Sequence, residues 1–582
     1  MVDFAIQPEL MHTSVSKVIS FPTTEAKQIL YTSVLEMSSS TSEDNLEQAE
    51  NPIQHSTIKL SDIHKTELRL DAEFNIVTKF GDDGLQDLEN SSLDKKSLYG
   101  DDGFCKEAFY SSHFKRIYTG NDEHGVPYLS SSEIISFQPE TSRYLSRKNT
   151  PDLEKLLIQK WDILISRSGV AGNVSLATET FMGKALSEHA IRLQAPDPDT
   201  AGFVTAFLRS RYGRPQLTQA TYGSVIVHIE REHLKRVLIP DLPPIRRIAI
   251  GQLMCKAGEL RDEANLLLDE ADRLLHERLN LPYLKSIAPS GNASAIAKIK
   301  ASQLMGRLEG SFHDAVAIAA EKQLRELSVE VITVGDSRVT KEVRPITKFR
   351  KRTYVEKGGI PLLSSKQIFQ IDPIDVKRLA KGAHTKDLPE IQLEENMIAV
   401  TRSGTIGRVQ IIPAYMAKWT ASEHATRFLA AEAMNAGYLY AWLASDYGYC
   451  LITRNSYGSV ILEVDKEMFS SVPIPLPEPK IRDEIGKLVL KANQLRDEAW
   501  RNEQDAITRL ESWIMNKPTA STQDESRPNK VSLKDIKYDS NAIPIWELAA
   551  QISAKVPDEE WAKVPSDLSQ RFDYYQGLRD DS

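Results

Sequence analysis

Two stretches of this chain repeat apolar residues in alternating steps of four and three, the spacing that places side chains on one face of a helix. In the first stretch leucine alternates with alanine, at Leu253, Ala257, Leu260, Ala264, Leu267, Ala271 and Leu274. The second has equivalents at Leu488, Ala492, Leu495 and Ala499, then breaks at Asn502 and resumes out of phase at Ala506, Leu510 and Trp513. Such spacing is typical of a coiled-coil seam, and alanine allows two helices to approach closely. We expect two long helices that pack together.

Proline marks the start of each predicted helix. Pro243-Pro244 precedes the first and Pro477-Glu478-Pro479 precedes the second, and proline is favourable in the first turn because its missing N–H has no partner there. A helix from 244 to 280 would be about 55 Å long at 1.5 Å per residue. This length predicts a spacer that separates two globular domains.

The regions before the two helices have a different pattern. Short β-rich runs such as residues 162–165 and 397–400 alternate with Gly, Ser and Pro turns, which is typical of strands in a mixed fold. We therefore predict an α/β (α+β) fold class with two similar globules, at 58–240 and 297–475, and two helical segments, at 241–296 and 476–517.

The two halves of the chain are copies of one another. Arg167-Ser168-Gly169, Ser187-Glu188-His189-Ala190 and Tyr222-Gly223-Ser224-Val225-Ile226 all recur 235 positions later, at 402–404, 422–425 and 457–461. Upstream the shift drifts, since Arg69-Leu70 corresponds to Arg307-Leu308 at a shift of 238. A duplication with its insertions in the first part of each copy explains this register.

The composition is that of an ordinary globular protein with acidic ends. Residues 1–57 carry 8 acidic and 2 basic side chains and residues 518–582 carry 12 and 8, so the total of −9 leaves +1 for 58–517. The near-neutral body can hold local basic surfaces. We expect an acidic, partly disordered extension at 1–57 and a linker and small module at 518–582. We also expect three cysteines that are buried or incidental, no membrane span and a cytoplasmic location.

The sequence has no recognisable catalytic or cofactor motif. Phosphate-binding glycine loops, metalloprotease helices and the tetrapeptide of adenine methyltransferases are all absent, so we predict a protein without catalysis, metal or cofactor. Ser187 and His189 could suggest a nucleophilic pair. However, alternation along a strand would point Glu188 away from the histidine, and we interpret the block as a buried polar anchor.

Several basic and turn residues are candidates for contact with DNA, because lysine and arginine neutralise phosphates and glycine-serine turns approach the backbone closely. The first copy contributes Arg143, Arg147, Lys148, Arg167, Ser168, Tyr222 and Ser224. The second contributes Arg344, Lys348, Arg350, Lys351, Arg352, Arg402, Ser403, Tyr457 and Ser459. The alternatives are a solvated basic face for the charged run, a tight loop for the Arg-Ser-Gly turn and core packing for the tyrosines.

With these motifs the chain resembles the specificity subunits of type I restriction-modification systems over residues 58–515. The resemblance rests on the duplicated blocks, on residues 69–74 echoed at 307–312, and on Ile239-Pro240 and Ile474-Pro475 leading into the helices. It implies two target-recognition domains joined by an antiparallel coiled coil with pseudo-twofold symmetry. Each domain would recognise one half of a bipartite target in double-stranded DNA.

The resemblance also implies partners. Two methyltransferase subunits would bind the chain, with restriction or translocase subunits where these exist, and the methyl donor and any ATP would belong to those partners. The competing hypothesis is a scaffold subunit of a phage-defence or DNA-repair complex that keeps the fold without recognising sequence.

Overall fold

The computed structural model describes residues 83–120, 123–219, 228–287, 299–300, 304, 306–344, 352–458 and 461–515, together with the backbone of strands at 15–20, 28–35 and 55–59. The chain divides into two compact units, Met1–Thr519 and Ala520–Ser582, and the second lies outside the described residues. No helix in the described part is long and apolar enough to cross a membrane.

An antiparallel three-stranded sheet precedes the first globule. It consists of β1 (Val15–Ser20), β2 (Gln28–Leu35) and β3 (His55–Lys59), in the order β1-β2-β3. Residues 1–57, for which the composition predicted partial disorder, therefore contribute strand backbone to this sheet.

The first globule combines short strands and helices. Its strands are β4 (Lys95–Ser97), β5 (Glu107–Phe109), β6 (Tyr118–Thr119), β7 (Gly125–Leu129), β8 (Tyr144–Ser146), β9 (Ile163–Ser166), β10 (Val174–Leu176), β11 (Ala185–Leu186), β12 (Ala190–Gln194) and β13 (Leu238–Pro240). Its helices are α1 (Asp83–Asn90), α2 (Leu153–Leu156), α3 (Pro198–Arg209), α4 (Gly213–Gln219) and α5 (Arg231–Leu234), with 3-10 turns at Glu133–Ile135 and Glu179–Phe181. The long helix α6 (Pro244–Leu279) follows.

The second globule repeats this order after the short helix α7 (Leu284–Ile287). Its strands are β14 (Glu330–Thr333), β15 (Thr340–Arg344), β16 (Ile360–Leu363), β17 (Lys377–Leu379), β18 (Ile398–Thr401), β19 (Val409–Ile411), β20 (Thr420–Ala421), β21 (Ala425–Ala430) and β22 (Pro473–Leu476). Its helices are α8 (Ala315–Arg325), α9 (Leu388–Ile391), α10 (Ala433–Ala444), α11 (Asp446–Thr453) and α12 (Lys466–Ser470), with 3-10 turns at Gln367–Phe369 and Ala414–Met416. The second long helix is α13 (Pro479–Ile514).

The larger sheets of the two globules have the same topology, and the smaller sheets differ by one strand. The four-stranded sheet β10-β9-β12-β5 corresponds strand for strand to β19-β18-β21-β15. The smaller sheet has the order β11-β7-β8-β6 in the first globule and β20-β16-β17 in the second, and in both its first two strands pair in parallel. The predicted mixed α/β class with two similar globules is therefore confirmed.

The two long helices pack against each other in antiparallel orientation. Arg278, near the end of α6, forms a bidentate ion pair with Glu484, near the start of α13, with N–O distances of 2.9 and 3.0 Å. At the opposite end the Arg246 guanidinium lies 5.2 Å from the centre of the Trp513 ring. Since each helix has 36 residues, they overlap over about 54 Å at 1.5 Å per residue.

Each long helix starts beside its own globule and ends in the core of the other. Leu274, Leu275 and Leu279 of α6 belong to the hydrophobic core of the second globule. Conversely, Ala506, Leu510 and Trp513 of α13 belong to the core of the first. The apolar cores of both globules therefore include residues of the helix pair. The distance between the globules is thus fixed by closely packed buried side chains.

Most of the predicted helical seam is buried, but the buried stripe is wider than the seam. Ala257, Leu260, Ala264, Ala492, Leu495 and Ala499 are at most 3% exposed. Leu253, Leu267 and Leu488 are only half-buried, and the adjacent Met254, Leu268 and Val489 are buried instead. Helices α3 and α10 also pack on the pair, so the covered face extends beyond the sister helix.

A buried carboxylate lies next to the predicted break at Asn502 in the second seam. Glu503 is 2% exposed and accepts two hydrogen bonds from Arg261 of α6, at 2.5 and 2.6 Å, and two from Arg209 of α3, at 2.6 and 3.0 Å. Arg209 also donates to Asp372 of the second globule at 3.2 Å. The network joins both helices and both globules at one point.

A reciprocal contact between the globules marks a pseudo-twofold axis. Ser136 and Gln370, which occupy equivalent positions 234 residues apart, form an antiparallel bridge. The N–H of Phe137 donates to the carbonyl of Phe369 at 3.0 Å, and the N–H of Ile371 donates to the carbonyl of Ile135 at 2.8 Å. The shift of 234 residues exchanges the donor and acceptor positions of one bond with those of the other. The axis therefore passes between Ser136 and Gln370.

Candidate nucleic-acid interface

In each globule the Arg-Ser-Gly turn meets the histidine of the Ser-Glu-His-Ala block. Ser168 Oγ lies 2.7 Å from His189 Nδ1, and Ser403 Oγ lies 2.6 Å from His424 Nδ1. The pairing of β9 with β12, and of β18 with β21, brings these segments together. A glycine follows each serine with positive φ, +80° at Gly169 and +74° at Gly404, a conformation that glycine adopts without steric cost.

A glutamate lies behind each imidazole, and an arginine pairs with that glutamate. His189 Nε2 is 3.6 Å from Glu188 Oε1, and His424 Nε2 is 3.8 Å from Glu423 Oε1. Arg116 pairs with Glu188, and Tyr128 donates to the same carboxylate at 3.0 Å. We name these two sets the twin clusters: Ser168, His189, Glu188 and Arg116, and Ser403, His424, Glu423 and Arg352.

The expectation that Glu188 points away from His189 is wrong. Residues 187–189 lie between β11 and β12, outside the ladder of both strands, so the two-residue alternation of a strand does not apply to them. The serine beside each histidine is also not the one in the same block, because Ser168 takes this place and Ser187 donates its N–H to the carbonyl of Leu129.

The imidazoles are the accessible part of each cluster. The side chains of His189 and His424 are 47% and 48% exposed, whereas that of Glu188 is 4% exposed. Burial and the charges of Arg116, Arg167, His113 and Arg143 lower the pKa of His189 below its ordinary value of 6.5. This imidazole is therefore neutral at pH 7 and has one N–H donor.

Three predicted DNA contacts of the first globule lie on its surface. Arg143 is exposed and pairs loosely with Glu133 at 3.3 Å, and its charge acts on His189. Arg147 and Lys148 are exposed in the turn that follows β8. Their contact with DNA remains a prediction.

The two arginines of the Arg-Ser-Gly turns form contacts within their own globules. Arg167 pairs with Glu230 and lies 4.5 Å from the centre of the Tyr110 ring. Arg402 is 5% exposed and donates to Glu463 at 2.9 Å and to the carbonyl of Val464 at 3.2 Å. These contacts favour the tight-loop interpretation of both turns.

Arg344 requires a correction. It ends β15 and is 8% exposed, and its guanidinium contacts Glu394 and donates to the carbonyl of Gln392 at 2.8 Å. A buried, engaged arginine cannot act as a surface contact for phosphate. Charge along the sequence was a poor guide here because it does not show that Arg344 is buried while Lys341 and Glu342 of the same strand are exposed.

Two of the remaining predicted DNA contacts lie among the described residues, and the others do not. Arg352 is partly exposed and belongs to its twin cluster, and Tyr457 is 38% exposed in a turn closed by backbone hydrogen bonds with Glu463. Tyr222, Ser224, Lys348, Arg350, Lys351 and Ser459 lie outside the described residues.

Sequence reasoning missed His189 and His424 as accessible polar residues, and it did not place Arg116 among the candidate DNA contacts. A signal for the arginines was present: Lys115-Arg116 followed by Tyr118 recurs as Lys351-Arg352 followed by Tyr354, 236 positions later. Tyr118 and Tyr354 are 48% and 39% exposed, so the repeated motif lies at the surface. Within the described residues, no group of His, Cys, Asp and Glu side chains could hold a metal ion.

Residues 340–495 match the family model of the type I restriction modification DNA specificity domain. This chain contains a type I specificity domain. The matched segment begins at β15 and extends into the first half of α13, so it includes the second twin cluster and its attachment to the helix pair. The first globule shares the sheet topology of this specificity domain and its Ser-His pair. No curated protein matches the chain.

The chain is also similar to solved structures of low sequence identity. The S subunit of a type I restriction-modification system from M. genitalium is 15% identical, with 74% of this chain and 97% of that chain covered and a TM-score of 0.30. The HsdS subunit from Thermoanaerobacter tengcongensis is 14% identical, with 67% and 89% covered and a TM-score of 0.23. Because both scores are low, the assignment rests on the specificity domain and the duplicated geometry.

Proposed function

We propose that the chain is the DNA sequence-specificity subunit of a type I-like restriction-modification complex, with residues 58–240 and 297–475 each recognising one half of a bipartite target. The observation that carries this proposal is the duplication of an accessible polar site about a pseudo-twofold axis, in a chain whose second copy is a type I specificity domain. Two equivalent sites on one rigid frame suit two half-sites at a fixed separation.

The arrangement of the helix pair supports a fixed spacing. Each helix ends inside the core of the opposite globule, and the buried Glu503 network connects both globules. A change in spacing would have to break this packing. The distance between the half-sites is therefore set by the length of the helices.

The role in the complex is recognition without catalysis. Methyltransferase subunits would supply the methyl donor and the chemistry, and restriction subunits would supply translocation where they exist. The chain would act in the cytoplasm together with these partners.

A selection from random duplexes tests the proposal. The full chain, co-purified with its methyltransferase partner, is incubated with a duplex library at two salt concentrations, and the retained DNA is sequenced. We expect a split motif with a constant gap that persists at the higher salt. Retention without a motif, with a steep loss on added salt, would indicate phosphate contact alone, and the proposal would give way to the scaffold alternative.

A further inference from the structure

The twin clusters are more alike than the surfaces that surround them. Their Ser–His distances are 2.7 and 2.6 Å and their His–Glu distances are 3.6 and 3.8 Å. The neighbouring positions differ, since Phe349 stands where the first copy has His113 and Gly382 stands where it has Lys148. The duplication has kept one accessible polar arrangement within a variable surrounding.

Identical sites on the two globules suit a contact that is the same in both half-sites of the DNA. The bases of two different half-sites differ, whereas the sugar-phosphate backbone is common to all sequences. A DNA duplex also has local twofold axes that relate its two strands, which match a protein twofold axis such as the one between Ser136 and Gln370. Equivalent groups on the protein then face equivalent phosphates on opposite strands.

The chemistry of the imidazole fits a phosphate. A proton on Nε2 is favoured because this edge faces a glutamate carboxylate, so Nδ1 accepts from the serine hydroxyl. The Nε2–H is beyond hydrogen-bond distance of the glutamate, at 3.6 and 3.8 Å, and it belongs to a half-exposed ring. The paired arginine balances the glutamate charge, so the carboxylate does not repel an incoming anion.

We propose that His189 and His424 are the phosphate anchors of the two recognition domains, each donating Nε2–H to a backbone phosphate on one DNA strand, with Ser168 and Ser403 holding the donor orientation. This inference rests on the proposed function. The duplicated residues position the DNA backbone, and residues that differ between the two copies recognise the bases.

The experiment combines substitution with modified DNA. Full-length His189→Ala and His424→Ala variants are titrated with a target duplex and an unrelated duplex, and melting temperatures are recorded to verify folding. Each variant is expected to lose about tenfold in affinity for both duplexes, the size of one hydrogen bond to a charged group, with an unchanged ratio between them. Lys256→Ala, on the exposed face of α6, is the control and should leave both affinities unchanged.

Duplexes with single neutral methylphosphonate linkages then identify the contact. For one linkage in each half-site, the neutral phosphate should weaken binding of the natural chain and abolish the tenfold difference from the histidine variant. A changed base preference in one half-motif, an unchanged affinity, or the lack of any such linkage would overturn the inference. If the natural chain selects no motif, the proposed function fails. The anchors are then still judged on the unrelated duplex.

Discussion

Replacement of Glu503 by glutamine should destabilise the whole particle. The carboxylate is buried and receives four hydrogen bonds from Arg209 and Arg261, all between 2.5 and 3.0 Å. Glutamine keeps the shape but leaves two buried guanidiniums without their common counter-charge. Removing one partner of a buried pair costs about 3–5 kcal/mol, and the retained volume places Glu503→Gln near 3 kcal/mol.

The assay is thermal and denaturant unfolding of the full chain. A loss near 3 kcal/mol corresponds to a fall in Tm of roughly 6–12 °C for a cooperative unit of 150–250 residues, about the size of one globule. Glu498→Gln, at an exposed position of the same helix, is the matched control and should melt like the natural chain. An unchanged Tm for Glu503→Gln would refute the view that this network joins the helices and globules.

The same variant has a defined pH signature. Burial raises the pKa of Glu503, but the guanidiniums of Arg209 and Arg261 outweigh this and hold it below its ordinary value of 4.5. The stabilisation is therefore complete above pH 4.5 and is lost as the pH falls through the lower pKa of the folded state. The difference in stability between natural chain and variant should shrink in this acidic range, and a constant difference would contradict the assignment.

Three further predictions concern the packing around the helices. Burial lowers the pKa of His276, but Asp446 and Asp272 raise it above 6.5 overall. Its stabilisation is therefore present below pH 6.5 and is lost as the pH rises through the higher pKa of the folded state. His276→Gln should flatten the stability profile above pH 6.5, and an unchanged profile would contradict this. A Cβ at Gly251 would lie 2.0 Å from the carbonyl oxygen of Asp199. Gly251→Ala should therefore force α3 and α6 apart and lower the free energy of unfolding by about 1–3 kcal/mol. A gain in stability would show that the contact is not tight. The Asp262 carboxylate accepts hydrogen bonds from the N–H groups of residues 179 and 180 at 2.9 and 3.0 Å. Asp262→Ala should lower the free energy of unfolding by about 1–2 kcal/mol, measured with denaturant. An unchanged stability would mean that solvent replaces these bonds.

The long helices were predictable because their signal is local. Proline at the start and the alternation of leucine and alanine need no knowledge of the tertiary fold. The buried Glu503 was not predictable in this way, since its equivalent in the first copy is Leu268. Its burial depends on arginines that lie far away in sequence and are brought together only by the packed globules.

The candidate site was predictable only in part. The blocks around Ser168 and His189 stood out by duplication, but their contact across 21 residues required the pairing of β9 with β12. Arg344 was misjudged because a basic run does not indicate which side chains point inward. The Lys-Arg pair that precedes Tyr118 and recurs before Tyr354 would have added Arg116 to the candidate Arg352.

The central claim is that two recognition domains are held at a fixed separation, and binding to targets with altered gaps tests it most directly. Starting from the selected split motif, the gap is lengthened or shortened by one base pair, which rotates one half-site by about 35° relative to the other. A rigid particle should lose at least tenfold in affinity for either change, towards the affinity for a single half-site. Equal binding across all gaps would show that the domains move independently and would contradict the account.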